Sequence, residues 1–442
     1  MRYFIVLVVL LFFLNSCIFW WTVQEIPTTI RANSWIKKST SLTHNFIDTI
    51  DIDIIYGWIV GDVFVMGKKR SFIFDTGAHM TIDVHDVDRE GVKTIPKPDY
   101  DVRDPEDPMY QLIKRRKMYK SGYTNMVDTL SLGKNTQYGK VGARAIDFSM
   151  AFNSFHCHNI LGIIGSNIFK HSVWSFDYKN GVIILSDNIS NFDLADSKEF
   201  NFYLEGELSF PIIEIPYGDS ILKVCIDTGN SSEAVIINNK KIDPFISRRK
   251  GVTEANMSSL NLSSYVAKKF TKKNIELVEL DLNFLGKSHR IFASTGHNWF
   301  GKDFSENYDL VVGYEFLKDF RFILDYINKK IYFEDIRIEH EIVKKPVHYR
   351  RLGISLSNYD QKPYVSHYLP HLIDSTKVDI GDTVLAINNT PIDSLVHQSN
   401  YCEFIRGEKS LFSDKDTSII TIKNKKGEIH DFKSYTVTLF EE

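Results

Sequence analysis

The chain has 442 residues, of which 43% are apolar and 25% are charged, which is enough for two or three folded units with ordinary cores. A formal net charge of −3 argues against a nucleic acid as the main partner. Aromatic residues make up 13% of the chain, and together with frequent valine, isoleucine and threonine they favour β-strands.

Residues 1–24 are predicted to be a targeting segment outside the folded body. Their apolar run of about 21 residues is long enough to cross a hydrocarbon core. Leu14-Asn15-Ser16-Cys17 resembles a bacterial lipobox, in which Cys17 would be lipidated after cleavage, and the alternative is a continuing membrane helix. In either case we expect a protein that is anchored in a membrane and faces the periplasm or the cell surface.

Two copies of one tripeptide occur in matching contexts. Asp75-Thr76-Gly77, followed by Ala78, lies between two short apolar runs, and Asp227-Thr228-Gly229 does the same. Average residue usage would give a lone Asp-Thr-Gly by chance in roughly one chain in ten of this length. Two copies in matching contexts are much stronger evidence of a common role.

The surroundings of the two tripeptides repeat as well. LGIIGSNIFKHSVWSFDYKNGVIIL follows the first copy and LVVGYEFLKDFRFILDYINKKIYF follows the second. Asp177-Tyr178 and Asp325-Tyr326 lie in the same register after Gly165 and Gly313. The chain therefore contains an internal duplication.

Together these elements resemble a two-lobed aspartic protease of the pepsin and retropepsin type, over about residues 44 to 340. The resemblance implies a mainly β fold of two related β-barrel lobes with pseudo-twofold symmetry, at 44–200 and 201–340. Each lobe would contribute one catalytic carboxylate, Asp75 and Asp227. Two carboxylates about 3 Å apart share one proton and titrate as a coupled pair, so they hydrolyse peptides without a metal or cofactor.

The remaining residues of the two motifs have supporting roles in this interpretation. Gly77 and Gly229 would let backbone amides approach the carboxylates. Thr76 and Thr228 offer hydroxyls that could connect the two loops across the interface. Ala78 cannot donate a hydrogen bond to the ionised dyad, which predicts a pH optimum from weakly acidic toward neutral.

The segment between the first tripeptide and its closing element is predicted to contain strands joined by turns. The resemblance implies a mobile hairpin over the dyad that excludes water and clamps the substrate. Gly122 and Tyr123 are the candidate flap residues, and the alternative is an ordinary half-buried strand tyrosine.

Metal binding is not expected. His156-Cys157-His158 would bring potential ligands together on a strand, but no second ligand cluster complements it and zinc needs three or four ligands. The scattered Cys157, Cys225 and Cys402 do not describe a disulfide framework, and Cys225 is predicted to be a small buried hydrophobic residue.

Residues 345–442 have a different pattern. The phrase that runs from Gly381 to Asn388, GDTVLAIN, resembles a PDZ domain of the bacterial protease-associated type. Leu352, Gly353 and Ile354 would then form the peptide-binding loop, which departs from the family pattern at Ile354 and at the preceding arginine. Such a module binds a peptide as an added strand. The alternative is a small domain that only packs on the protease.

The sequence therefore predicts a membrane-tethered aspartic endopeptidase that acts on peptide or protein substrates, with recognition assisted by a PDZ domain. A non-catalytic peptide-binding scaffold is the competing interpretation. Two intact Asp-Thr-Gly motifs favour the enzyme, because a decayed site would have left at least one aspartate free to change.

Overall fold

A computed structural model of the chain describes residues 34–35, 38–55, 57–78, 81–84, 92–95, 124–146, 158–204, 210–232, 234–237, 239–256, 271–295, 308–337, 354–359, 362–368, 377–392 and 417–435. In these ranges the chain is mainly β, as predicted. None of the helices described there is both long and apolar enough to cross a membrane.

The first lobe contains strands whose sequences alternate between buried and exposed residues. In Ile47–Ile55 the isoleucines at 50 and 52 are buried while Asp51 and Asp53 are exposed, which is the period of a half-buried strand. Its elements are β1 Thr40–Ser41, β2 Ile47–Ile55, β3 Trp58–Val65, β4 Lys68–Phe74, β5 Thr81–Val84, β6 Val92–Ile95, β7 Thr124–Leu132, β8 Thr136–Ile146, β9 Ile160–Ile164, α1 Ser166–Phe169, β10 Val173–Asp177 and β11 Val182–Ser186.

The second lobe repeats this order of elements. Its strand β12 crosses the predicted division at residues 200 and 201 and pairs with strands of the second lobe. The elements are β12 Lys198–Tyr203, β13 Ile212–Tyr217, β14 Ser220–Ile226, β15 Ala234–Ile236, α2 Asn239–Ile242, β16 Ile246–Asn256, β17 Thr271–Phe284, β18 Lys287–Ser294, β19 Leu310–Val312, α3 Tyr314–Leu317, β20 Phe320–Asp325 and β21 Lys330–Asp335.

The C-terminal unit is a set of antiparallel strands. Its strand β23 pairs with β22 and also with β16 of the second lobe, through Tyr368 opposite Thr253 and His367 opposite Glu254. The strands are β22 Ile354–Tyr359, β23 Lys362–Tyr368, β24 Thr383–Ile387, β25 Thr390–Pro391, β26 Thr417–Lys423 and β27 Ile429–Tyr435.

A six-stranded antiparallel sheet joins the two lobes, in the order β2, β11, β10, β20, β21, β12. At its centre Ser175 of β10 pairs with Ile323 of β20. These two residues occupy the same register after Gly165 and Gly313, so each pairs with its own counterpart. The sheet therefore has a pseudo-twofold axis between them, which confirms the prediction of two related lobes.

One apolar core runs through both lobes. It extends from Phe46 in the first lobe to Phe333 in the second and includes the fully buried Trp174. Within it, Phe176 and Phe322 stack across the β10 and β20 junction with their ring centroids 4.8 Å apart. The lobes thus bury apolar area against each other as well as within themselves, which keeps the two Asp-Thr-Gly loops in a fixed relation.

Candidate active site

Each Asp-Thr-Gly loop begins where one strand ends beside a parallel partner. The loop of Asp75 follows β4, which runs parallel to β9, and the Asp75 amide donates to the Ile164 carbonyl at 3.0 Å. The loop of Asp227 follows β14, which runs parallel to β19, and its amide donates to the Val312 carbonyl at 3.0 Å. Corresponding backbone bonds therefore hold the two aspartates at the same depth in their lobes.

Thr76 and Thr228 connect the two loops through reciprocal hydrogen bonds. The Thr76 amide donates to the Thr228 hydroxyl at 2.9 Å, and the Thr228 amide donates to the Thr76 hydroxyl at 3.0 Å. Each hydroxyl then donates to a strand of the opposite lobe, Thr76 to Ile226 O at 2.8 Å and Thr228 to Phe74 O at 2.7 Å. Both threonines are fully buried, so breaking this network would leave unpaired polar groups in the interior.

The two carboxyl groups meet across the interface. The Asp227 carboxyl lies against Gly77 of the first motif, and the Asp75 carboxyl lies against Gly229 of the second. The amides of Gly77 and Ala78 donate to Asp75 Oδ1 at 2.7 and 3.1 Å, and the Gly229 amide donates to Asp227 Oδ1 at 2.9 Å. The structure thus brings together the two predicted catalytic residues and surrounds each carboxyl with backbone donors.

Glycine is required at the third position of each motif for steric reasons. A β-carbon on Gly77 would lie 2.6 Å from the Asp227 carboxyl carbon, and one on Gly229 would collide with the carboxyl of Asp75. Each glycine therefore makes room for the aspartate of the other lobe, in addition to donating its backbone amide to the aspartate of its own lobe.

The electrostatics of the pair favour retention of a proton. Burial raises the pKa of Asp227 well above its usual range, and the neighbouring Asp75 carboxyl raises it further. The amides of Gly229 and Asn230 lower that pKa by stabilising the ionised form. The raising effects are the larger ones, because the site is buried and two neighbouring carboxylates cannot both ionise easily.

Residues 78 and 230 occupy corresponding positions but differ in chemistry. Their carbonyls accept matching backbone bonds, from the Ser166 amide to Ala78 at 2.8 Å and from the Tyr314 amide to Asn230 at 2.7 Å. Asn230 Oδ1 accepts from the Ser232 amide at 3.0 Å, which fixes the orientation of the side-chain amide. The side-chain oxygen of Asn230 therefore accepts hydrogen bonds within its own loop.

Two tyrosines cross the lobe interface in opposite directions. Tyr178 of the first lobe packs edge-on against Tyr314 of the second, with ring centroids 5.4 Å apart. Burial raises the pKa of Tyr178, and the charges of Tyr314 and Asp227 raise it further. Tyr326 of the second lobe also has a raised pKa, chiefly from burial and then from nearby groups that include Asp75.

These tyrosines were visible in the sequence as a repeat, but their position was not. The flanking residues of the repeat serve turns, because Asp177 accepts from the Asn180 amide at 3.0 Å and Asp325 accepts from the Asn328 amide at 2.9 Å. Tyr178 and Tyr326 lie within these turns, but the hydrogen bonds of the turns join the aspartate to the asparagine and do not require a tyrosine between them. The repeated tyrosine was therefore the signal for a role at the interface.

The other predicted site residues lie mostly outside the described residues. These are the anchor candidate Cys17, the flap candidates Gly122 and Tyr123, and Leu352 and Gly353 of the peptide-binding loop. Ile354 is described as the first residue of β22.

No protein-family model matches the chain, and no curated protein matches it. Among solved structures, it is similar to basic 7S globulin from soybean, with a TM-score of 0.38 and 10% identity over 68% of this chain and 97% of that one. It is also similar to an aspartic proteinase from Irpex lacteus, with a TM-score of 0.34 and 14% identity over 66% of this chain and 97% of that one. The functional assignment depends on the duplication and on the geometry of the aspartate pair.

Proposed function

We propose that the chain is an aspartic endopeptidase that hydrolyses peptide bonds with a water molecule activated between Asp75 and Asp227. The observation that carries the proposal is that two carboxyl groups, one from each lobe, lie together at the lobe interface, each against the motif glycine of the other lobe. A pair that shares one proton contains both an acid and a base at neutral or mildly acidic pH.

The proposed reaction uses the two carboxyls in different roles. In the free enzyme the pair holds one proton, because burial and the charge of the neighbouring carboxyl disfavour ionisation of both groups. Asp75 takes a proton from the water as it attacks the carbonyl carbon, while Asp227 donates its proton to the carbonyl oxygen. In the second step Asp75 returns a proton to the leaving nitrogen, the C–N bond breaks, and Asp227 recovers its proton from a hydroxyl of the intermediate.

The loops around the carboxyls support this chemistry by limiting their motion. The Thr76 and Thr228 network ties each loop to the other lobe at distances of 2.7 to 3.0 Å. A displacement of about 1 Å can lower a rate by about 10²-fold, so the network contributes by keeping the two acids in register.

Asp75→Asn and Asp227→Asn, made singly in the full chain, test the proposal. Each should reduce cleavage of a peptide library by about 10²–10⁴-fold while the thermal unfolding transition remains cooperative, because one carboxyl cannot supply both acid and base. Asp51→Asn, at an exposed position of β2, is the matched control and should cleave like the wild type. Undiminished cleavage by either dyad variant would rule out the proposed roles.

We further propose that residues 1–24 anchor the protein in a membrane and that residues 345–442 form a PDZ domain that recruits substrates. The anchor proposal is supported by the apolar run and by the sequence around Cys17. Cys17→Ser should release the protein from membrane fractions if the anchor is a lipid and leave it bound if the anchor is a helix. The PDZ proposal is supported by the GDTVLAIN phrase, and among the described residues β22 pairs along one edge, with β23.

A further inference from the structure

Two corresponding apolar clusters flank the dyad, one in each lobe. The lobe-1 cluster is built on Val60, Ile73, Ile160 and Ile163. The lobe-2 cluster consists of Phe210, Ile212, Cys225, Val235, Tyr308 and Val311. The duplication relates them, because Val60 pairs with Ile73 on β3 and β4 as Ile212 pairs with Cys225 on β13 and β14, and Ile73 and Cys225 each precede their catalytic aspartate by one intervening residue.

The lobe-1 cluster is bordered by apolar residues that remain partly exposed. Ile55, Trp58 and Ala78 pack against it while remaining only half-buried. Ala78 also donates its amide to Asp75 Oδ1 at 3.1 Å. The exposed side of this cluster is therefore continuous with the catalytic loop, where an apolar side chain of a bound peptide could be removed from water.

The turn that carries Trp58 rests on the opposite catalytic loop. The preceding Gly57 has φ +81° and lies so close to Ser231 that a β-carbon on it would be 2.9 Å from Ser231 Cβ. Ser231 follows the second Asp-Thr-Gly by one residue. Trp58 and Ala78 of the first motif thus pack against the same cluster, and the turn that precedes Trp58 is seated beside the second motif, which places Trp58 next to both catalytic loops.

The lobe-2 cluster is closed by its own side chains. Phe210 is 2% exposed and Tyr308 is 1% exposed, and their rings meet edge-on with centroids 5.8 Å apart. Phe210 stands at the position that corresponds to Trp58. A bulky substrate side chain could enter here only by displacing packed rings, which close-packed interiors resist.

We infer that the cleft binds its substrate asymmetrically. A bulky apolar side chain binds against Trp58 on one side of the scissile bond, and a small side chain is required on the other side. This inference rests on the proposed function and names the substrate class for that site. Trp58 acts as a specificity-determining residue, and Phe210 with Tyr308 set the size limit on the opposite side.

A peptide library that varies the residues on both sides of the scissile bond tests this, with the full-length protein. The wild type should prefer a large apolar residue on one side only. Trp58→Ala should lower kcat/KM for those peptides by about 10-fold or more relative to peptides with alanine there, because the binding energy of a buried apolar side chain is lost. Phe64→Ala, at an exposed phenylalanine of the same strand, is the control and should change nothing.

Phe210→Ala is the second test of the inference. It should allow larger substrate residues on the other side of the scissile bond, away from Trp58. Because Phe210 is buried, Phe210→Leu serves where the alanine variant fails to fold. Equal tolerance of bulky residues on both sides, or an unchanged preference in Trp58→Ala, would overturn the inference while leaving the protease assignment intact. Absence of all cleavage sensitive to Asp75→Asn would instead overturn the proposed function, and the inference with it.

Discussion

Gly77 of the first lobe lies against the carboxyl group of Asp227 in the second lobe. A β-carbon at position 77 would come within 2.6 Å of Asp227 Cγ, closer than real β-carbons approach other atoms. The approach is mutual, because Gly229 leaves the same room for Asp75. The close approach of the two carboxyl groups therefore depends on the absence of a side chain at positions 77 and 229.

Gly77→Ala should lower the cleavage rate by about 10²-fold or more, because the methyl group must push the Asp227 carboxyl away from Asp75. The protein should still unfold cooperatively, since the collision is with one side chain at a half-buried site. Peptidase kinetics and a thermal melt of the same preparation check this. Gly229→Ala should have a matching effect, and full activity in either variant would contradict the proposed fit.

The sequence predicted those parts of the site that the duplication repeats. The two motifs occur in matching contexts, and Asp177 and Asp325 lie in equal register after Gly165 and Gly313 of the closing elements, so the equivalence of the two copies can be recognised from the sequence. What could not be predicted depends on contacts between distant segments. The close approach of Gly57, which precedes Trp58, to Ser231 and the pairing of β23 with β16 arise from packing between parts of the chain that carry no shared pattern.

The threonine network makes a prediction about stability. Thr76→Val keeps the side-chain volume but removes the acceptor for the Thr228 amide and the donor to Ile226 O. Each buried group left unpaired costs about 1–3 kcal/mol, so the melting temperature should fall by several degrees. Thr76→Ser retains the hydroxyl and is the control. If the serine and valine variants melt at the same temperature, the hydrogen bonds contribute nothing measurable.

The raised pKa of Asp227 makes stability depend on pH. In the unfolded chain an aspartate ionises near pH 3.9, at about its ordinary value, whereas the folded protein resists that ionisation. Below the pKa of the unfolded chain the aspartate is protonated in both states, and its ionisation does not reduce the stability of the fold. As the pH rises from there through the folded pKa, the native state binds more protons than the unfolded state and its stability falls.

Asp227→Asn removes this loss because an amide does not ionise. The variant should therefore melt at a higher temperature than the wild type at pH 7, and the difference should shrink as the pH falls to about 3. Melting curves across pH 3 to 7 check this, with Asp51→Asn as the exposed control. If the wild type is more stable than the variant at pH 7, ionisation of the dyad does not destabilise the folded protein.

The rate profile should follow the same pKa. Activity needs one shared proton, so the alkaline limb of kcat/KM marks the loss of the proton from the pair. A raised pKa of Asp227 moves that limb upward, and Ala78 offers no hydroxyl that would lower it. We expect an optimum from weakly acidic toward neutral. A profile that peaks near pH 2 would contradict both statements.

The last prediction concerns the C-terminal unit and its attachment to the second lobe. In the described residues β16 pairs with β23 at Thr253 and Glu254, whereas it pairs with β17 along its length from Ile246 to Asn256. Strand β17 therefore holds β16 in place without help from the C-terminal unit. Because the dyad and both clusters lie in the two lobes, the cleft should remain intact when that unit is removed.

Deletion of residues 345 to 442 should thus leave cleavage of a short peptide largely unchanged and slow the cleavage of a protein substrate. Tethering raises the local concentration of a bound segment, often into the millimolar range for short links, and a short peptide gains little from this. Comparison of kcat/KM for one peptide and for a protein that contains it measures the difference directly. If the truncated protein is folded but loses both activities equally, β23 is a structural part of the protease through its contact with β16, and recruitment is the wrong explanation.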